Sequence, residues 1–206
     1  MTAEFFADQV DVSRETLERL EIYARLIERW NPKINLVSRR TLDDLWNRHF
    51  LDSAQVFDAA PLNASTWADL GTGGGFPGLI VAIMAADVRP DLRVTCVESD
   101  SRKATFLRTV LRETGVSATV LNKRIEAVEP LAADVVSARA LAPLPRLLDF
   151  ADRHLAENGT ALFSKGEGYE KEFQDALETW RFQVDKIPSR TNSEAVILRV
   201  GEIERA

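Results

Sequence analysis

Apolar residues follow two different rhythms along the chain. In "SRETLERLEIYARLIERWN", from Ser13 to Asn31, Leu17, Leu20, Ala24, Ile27 and Trp30 recur at the spacing of one helix face. Ser13 stands where an N-cap belongs, with Thr16 and Glu18 soon after it. Asn31-Pro32 predicts the helix end, because proline lacks an amide donor and restricts the residue before it. A second helix is expected over "TLDDLWNRHFLDSAQVFDAA", starting at Thr41 and ending before Pro61. Asp43 and Asp44 in its first turn suit the positive end of a helix dipole.

After about residue 65 the rhythm changes, and short β-like runs alternate with longer helical ones. Strands are expected near Thr66–Leu70, Arg93–Val97, Ala118–Leu121, Asp134–Ser137, Thr160–Ser164, Gln183–Ile187 and Ala195–Val200. Helices are expected near Pro77–Ala86, Ser101–Thr114, Pro143–Ala156 and Tyr169–Thr179. Alternation of this kind implies an α/β fold with a parallel sheet and helices on both faces. The last two strands are joined without a helix, which favours an antiparallel hairpin. The expected outline is a helical extension over residues 1–62 and a Rossmann-like, mostly parallel open sheet over residues 63–206, ending in that hairpin.

The first strand runs into "GTGGGFPG", where four of the five residues 71–75 are glycine. Glycine turns sharply and lets a ligand approach the backbone, and Pro77 fits the first position of the next helix. A ligand-free turn needs fewer glycines. Gly73, Gly75 and Gly78 match the dinucleotide pattern G-x-G-x-x-G, although that match starts three residues past the strand. The frame Asp69-Leu70-Gly71-Thr72-Gly73-Gly74-Gly75 starts at the strand end and carries an acid two residues before its first glycine. A carboxylate there suits a ligand with an ammonium or sulfonium group, such as S-adenosylmethionine, better than a pyrophosphate. This frame resembles the first motif of the class I methyltransferases.

Two further marks fit a nucleoside ligand. Glu98, at the end of the second strand, is placed to accept hydrogen bonds from ribose hydroxyls. Ile125 and Glu126 come after the third strand, where an adenine ring would rest beyond the carboxyl ends of the strands. Each also has a plain reading, a helix-capping charge and a short surface helix respectively.

Composition removes other chemistries. Hydrophobic residues make up 45% and charged residues 28% of the 206, the balance of an ordinary globular protein. A single cysteine, Cys96, allows neither an internal disulfide nor a multi-cysteine zinc site, and His49 and His154 lie far apart, so no metal is expected. The acidic N-terminus does not read as a signal peptide, and no apolar run approaches the roughly 20 residues of a membrane span. The expected location is the cytoplasm.

The acceptor side is read from the segment after the fourth strand, "VVSARALAPLPRLL". There is no Asn/Asp-Pro-Pro-aromatic motif of the kind used to methylate exocyclic amines. Cys96 falls inside a predicted buried strand, and neither histidine sits after a strand as a general base would. Arg139 does occupy the strand-end place. A permanent cation cannot take a proton, but it can hold a carboxylate or the O6 and N7 edge of a guanine. Such a site suits an acceptor that is already nucleophilic, with catalysis reduced to orientation. The net charge of −6 argues against a general nucleic-acid coat protein. Locally, residues 25–48 hold six basic against three acidic side chains, among Trp30 and Trp46. They read either as a phosphate-gripping face or as solvated helix surface.

"WNPKINLVS", "RHFLDS", "DLGTGGGFPG", "RKATFLR" and "SARALAPL" occur in this order. Together they resemble the bacterial ribosomal RNA small-subunit methyltransferase G family, also called glucose-inhibited division protein B. The resemblance runs from about Trp30 to the C-terminus. It implies a class I methyltransferase fold and transfer of methyl from S-adenosylmethionine to N7 of a guanine in 16S ribosomal RNA. The rRNA or small ribosomal subunit would be the partner, with no DNA, membrane or metal. It implies Gly71, Gly73, Gly75, Phe76, Glu98, Ile125, Glu126 and Arg139 as cofactor-binding residues, with Arg139 also positioning the acceptor. Arg39, Arg40, Arg48, His49 and Arg124 are the expected RNA contacts, and Asn35 is a signature residue. Gly74 departs from the family, which often has proline there, and predicts a slightly looser loop. The alternatives are an NAD-dependent oxidoreductase, which would lack a strand-end proton donor, or a non-catalytic RNA-binding protein with a vestigial pocket.

Overall fold

Seven strands form one sheet in the order β3-β2-β1-β4-β5-β7-β6. The structure is a computed structural model that describes residues 2–206. The strands are β1 (Thr66–Leu70), β2 (Arg93–Val97), β3 (Thr119–Leu121), β4 (Ala133–Arg139), β5 (Leu155–Lys165), β6 (Trp180–Pro188) and β7 (Val196–Arg205). β1 pairs in parallel with β2 and β4, β2 with β3, and β4 with β5. β7 lies between β5 and β6 and is antiparallel to both. The expected hairpin is therefore present, but its second strand inserts into the sheet while β6 takes the edge.

Alternation along the strands sends side chains to two cores. Trp67, Cys96, Val135 and Leu162 face one, with α5 (Gly78–Val88) and α6 (Ser101–Thr114). Ala68, Leu70, Val136, Ala138 and Phe163 face the other, with α7 (Leu144–His154) and α8 (Tyr169–Leu177). α5 has almost no polar face, and Gly78 through Ala85 are all buried. The sheet covers one side of it. The other side is covered by N-terminal helices α2 (Arg14–Ile34) and α4 (Asp52–Asp58), with α1 (Ala3–Gln9) packed on α2 and on residues 46–51, and their Phe6, Leu20, Tyr23, Ile27 and Val56 belong to the same core.

The N-terminal helices differ from expectation in two places. α2 does not stop at Asn31-Pro32 but runs to Ile34, with Asn35 as a left-handed C-cap. Proline in the last turn removes only one helical bond there. The buried Asn31 side chain makes the end, its Oδ1 accepting from the amides of Leu36 at 2.7 Å and Val37 at 2.9 Å. The single helix expected from Thr41 is divided into α3 (Arg39–Leu42), a π-helical segment Trp46–Leu51, and α4. The i to i+5 spacing of the π-helical segment sets Leu45 and Phe50 on one line, and both are buried in the core. α7 ends at His154 and β5 begins directly after it. A register shift between Ala133 and Val135 absorbs the extra residues before Thr160, and Gly159 leaves room for the Ala133 carbonyl.

Asn31→Leu should cost roughly 2–4 kcal/mol in urea denaturation, because it leaves two buried amides without an acceptor. A loss under about 0.5 kcal/mol would show that Asn31 does not hold the helix end.

Candidate functional site

The carboxyl ends of the parallel strands open into a cavity of about 870 Å³. It lies over the switch point where the order reverses between β1 and β4, the usual ligand place in open α/β sheets. Gly71, Gly73, Phe76, Glu98, Arg124, Ile125, Glu126, Arg139, Arg48 and His49 all line it. Residues from four strand ends and from the N-terminal helices, far apart in sequence, thus meet in one place.

The glycine loop is a shaped wall. Gly71 and Gly73 have φ of +65° and +59°, in the left-handed region. A Cβ on Gly73 would meet no protein atom nearer than 3.7 Å, so the space beside it is open to a ligand. Gly75 is different. It is off the cavity wall, and a Cβ there would drive into Tyr23 and Leu79, so its role is close packing. Gly74 is crowded by the Leu36 backbone, and its carbonyl accepts from Tyr23 Oη at 2.5 Å. The N-terminal layer thus packs directly against the loop at Gly74. Pro77 is the N-cap of α5 rather than its first residue, after a cis Phe76–Pro77 bond.

Asp69 does not face the cavity. It is fully buried behind the loop, where its Oδ1 accepts from Ser137 Oγ at 2.7 Å and its Oδ2 from the Gly78 amide at 3.0 Å. Ser137 Oγ in turn accepts from Trp67 Nε1 at 2.8 Å. The carboxylate staples β1, β4 and the start of α5 together. The reason is strand parity: Asp69 points to the same side as Trp67, under α5, while its neighbours Ala68 and Leu70 point to the other side. Burial raises its pKa to about 6, and the bonds from Ser137 and Gly78 only partly offset that.

Glu98 is buried on the wall, with Oε2 accepting from the Gly73 amide at 2.8 Å and Oε1 from the Asp100 amide at 2.7 Å. Each oxygen keeps a lone pair that can accept a further hydrogen bond. Asn122 ties this loop to the end of β3 by donating to the carbonyls of Glu98 and Ser99. Glu126 is exposed at the rim and pairs with Arg146 at 2.7 Å. Behind Ile125, Arg153 donates to Val128 O at 2.8 Å and His154 Nε2 lies 3.2 Å from Ile125 O.

Arg139 is clamped at the far end. Its Nη1 donates to Arg48 O at 3.0 Å and to Asp52 Oδ2 at 3.2 Å, its Nη2 to His49 Nδ1 at 2.6 Å, and it stacks 4.9 Å from the Phe76 ring centre. Arginine has no acceptor, so His49 Nδ1 must accept. The proton is then on Nε2, donating to Thr41 Oγ1 at 2.8 Å. Burial first, then Arg139 and Arg48, lower the His49 pKa to about 3, so the ring is neutral. Nε–H and one Nη2–H of Arg139 take no part in these bonds.

Arg39 and Arg40 are exposed on α3 and do not line the cavity, although Ser38 and Thr41 on either side of them do. Sequence reasoning missed Tyr23, Asp52, Asn122, Lys165 and Thr191. Lys165 pairs with Glu172 at 2.5 Å and also donates to Ala142 O. Its position at the end of β5 was the available signal. Tyr23 gave none, since it falls on the core stripe of an amphipathic helix. Among the described residues, no three His, Cys, Asp or Glu side chains group to hold a metal, and no helix is long and apolar enough to cross a membrane.

The strand order, the glycine loop and the cavity above it define a class I methyltransferase fold. A TehB-like SAM-dependent methyltransferase from Corynebacterium glutamicum superposes with a TM-score of 0.58 at 16% identity, over 88% of this chain and 98% of that one. Residues 16–196 match the family described as rRNA small subunit methyltransferase G. The ribosomal RNA small subunit methyltransferase G of Ruegeria sp. (strain TM1040) is 58% identical over 197 residues, 96% of both chains. That of Ruegeria pomeroyi is 53% identical over 199 residues, 97% of both. The chain belongs to this family.

Asp69 also predicts a pH effect. Its folded value lies above the ordinary 3.8, so folding favours the neutral form. Its contribution is full below the unfolded value and is lost as pH rises through about 6, on the order of 2–3 kcal/mol. Relative to wild type, Asp69→Asn should flatten the fall in stability from about pH 4 to above 6. Parallel urea midpoints across that range would contradict the buried-carboxylate account.

Proposed function

We infer that this protein transfers a methyl group from S-adenosylmethionine to N7 of a guanine in 16S ribosomal RNA, in the cytoplasm. The observation that carries the reaction type is a cavity with a fixed arginine and, among the described residues, no uncommitted base. His49 Nδ1 is spent on Arg139, Glu98 accepts two amides, and Asp69 is sealed behind the loop. Guanine N7 needs no base, because its lone pair is already free.

The residues present fit the cofactor. The cavity is within the usual size for a nucleoside-sized ligand, the loop at Gly73 is open, and Glu98 offers carboxylate lone pairs. Gly71, Gly73 and Phe76 would hold the methionine side, Glu98 the ribose, and Ile125 and Glu126 the adenine. S-adenosylmethionine, when bound, supplies a methyl group on a sulfonium. The protein aligns the acceptor: Arg139 directs its free N–H groups at O6 or N7 of the guanine, and the Phe76 ring keeps the guanidinium in plane. Holding lone pair and methyl in line is an orientation effect, worth several orders of magnitude in rate.

RNA would approach over the rim. Arg39, Arg40, Arg48, Lys123 and Arg124 are exposed, and none has an ion pair among the described residues. Arg48, Lys103, Lys123 and Arg124 line the cavity, and Arg39 and Arg40 lie between Ser38 and Thr41, which line it too.

Incubation with labelled S-adenosylmethionine and 16S rRNA or small subunits, with nucleoside mass analysis afterwards, should give 7-methylguanosine. Binding of NAD without S-adenosylmethionine in calorimetry would refute the reading. Arg139→Ala should lower turnover by about a hundredfold or more while the fold is kept. Arg39→Glu with Arg40→Glu should weaken RNA binding and reduce its log–log salt slope by about 1 to 2. An unchanged slope would return α3 to plain solvated surface.

A further inference from the structure

The geometry points to Asp52 as the residue that positions Arg139 and couples it to the loop between β6 and β7, an inference that rests on the acceptor role of Arg139 proposed above. Asp52 is the first residue of α4, directly after the π-helical segment, and its side chain is 16% exposed. Its two oxygens do different jobs. Oδ2 takes Arg139 Nη1 at 3.2 Å. Oδ1 accepts from Gln55 Nε2 at 2.9 Å and from Thr191 Oγ1 at 3.0 Å.

Thr191 belongs to the loop after β6, and Ser189, Thr191 and Asn192 of that loop line the acceptor end of the cavity. Gln55 grips the same loop at two more points, accepting from the Arg190 amide at 2.9 Å and donating to Ser189 Oγ at 3.2 Å. One turn of α4 therefore joins Arg139 to the loop that walls the acceptor.

Charge makes Asp52 distinct among the partners of Arg139. His49 is neutral and the Arg48 contact is a carbonyl, so Asp52 is the one anion in the clamp among the described residues. Without that charge the guanidinium keeps two neutral acceptors and one aromatic face, and can rotate about them. An orientation-dependent reaction then loses rate, while cofactor contacts on the glycine loop and Glu98 stay in place.

The test compares Asp52→Asn with wild type for cofactor affinity by calorimetry and for kcat and KM by methyl transfer to small subunits. Cofactor Kd should change less than about threefold, while kcat falls at least about tenfold. Thr191→Val, which keeps the charge and loses one donor, should lower kcat by about two- to fivefold at unchanged cofactor Kd. In an Arg139→Lys background, where one ammonium cannot span the same partners, both effects should shrink to less than about twofold. Wild-type kcat for Asp52→Asn, or an equal loss in the Arg139→Lys background, overturns the inference. If Asp52→Asn does not fold, Thr191→Val decides by the same two readings. Near-wild-type turnover of Arg139→Ala would instead overturn the role of Arg139 itself.

Discussion

The structure depends on covering α5. A helix that reads "GLIVAIMA" through its first two turns cannot face water on any side, and a sheet can cover only one of them. Each large apolar side chain returned to solvent would cost about 1.5–3 kcal/mol, so the second side needs a cover of its own. The N-terminal helices supply it. With α5 between them and the sheet, Tyr23 comes against the glycine loop and the π-helical segment comes against the end of β4. The helical extension is therefore one wall of the site, and its contacts with Gly74 and Arg139 result from packing.

That wall changes the electrostatics of Arg139. On a bare strand end the guanidinium would be a mobile, hydrated cation. Between Phe76, His49, Asp52 and the Arg48 carbonyl, its side chain is 16% exposed and its orientation is set. The cost of partial burial is met by an anion and by two neutral acceptors with matched geometry. Keeping His49 neutral is part of this balance. A second cation on the same edge would repel the first, and burial together with Arg139 and Arg48 keeps the ring uncharged at neutral pH.

Legibility in the sequence divides along the same line, between local and remote causes. The strand–glycine–helix unit, Glu98 after β2 and Arg139 after β4 are legible because each is a local signal at a predictable strand end. The face of Asp69 is not given by its place beside the loop, which suggests contact with the ligand. Counting two residues back to Trp67, a core residue, puts the carboxylate behind the sheet instead. Pro32 and the π-helical turn are not legible, since both depend on side chains that act across the fold: the two bonds to Asn31 Oδ1 and the shared burial of Leu45 with Phe50. Insertion of β7 beside β5 is hidden for the same reason. A hairpin signal fixes which strands pair with each other but not which of the two reaches the sheet.

The net charge of −6 and the proposed approach of RNA over the mouth are compatible because screening makes charge a local quantity. At physiological ionic strength a phosphate responds to groups within about 8 Å and little to the far side of the protein. The acids nearest the cavity are already committed: Glu126 to Arg146, Glu172 to Lys165, Asp52 to Arg139, and Glu98 to two amides. The cations of the rim, Arg39, Arg40, Arg48, Lys123 and Arg124, have no such partners among the described residues. Many remaining acids lie elsewhere, on α8 and the terminal hairpin, where Asp185 pairs with Arg199. On the proposed reading, an approaching RNA strand would meet net positive charge at the mouth, and inside it a site whose polar groups are already oriented.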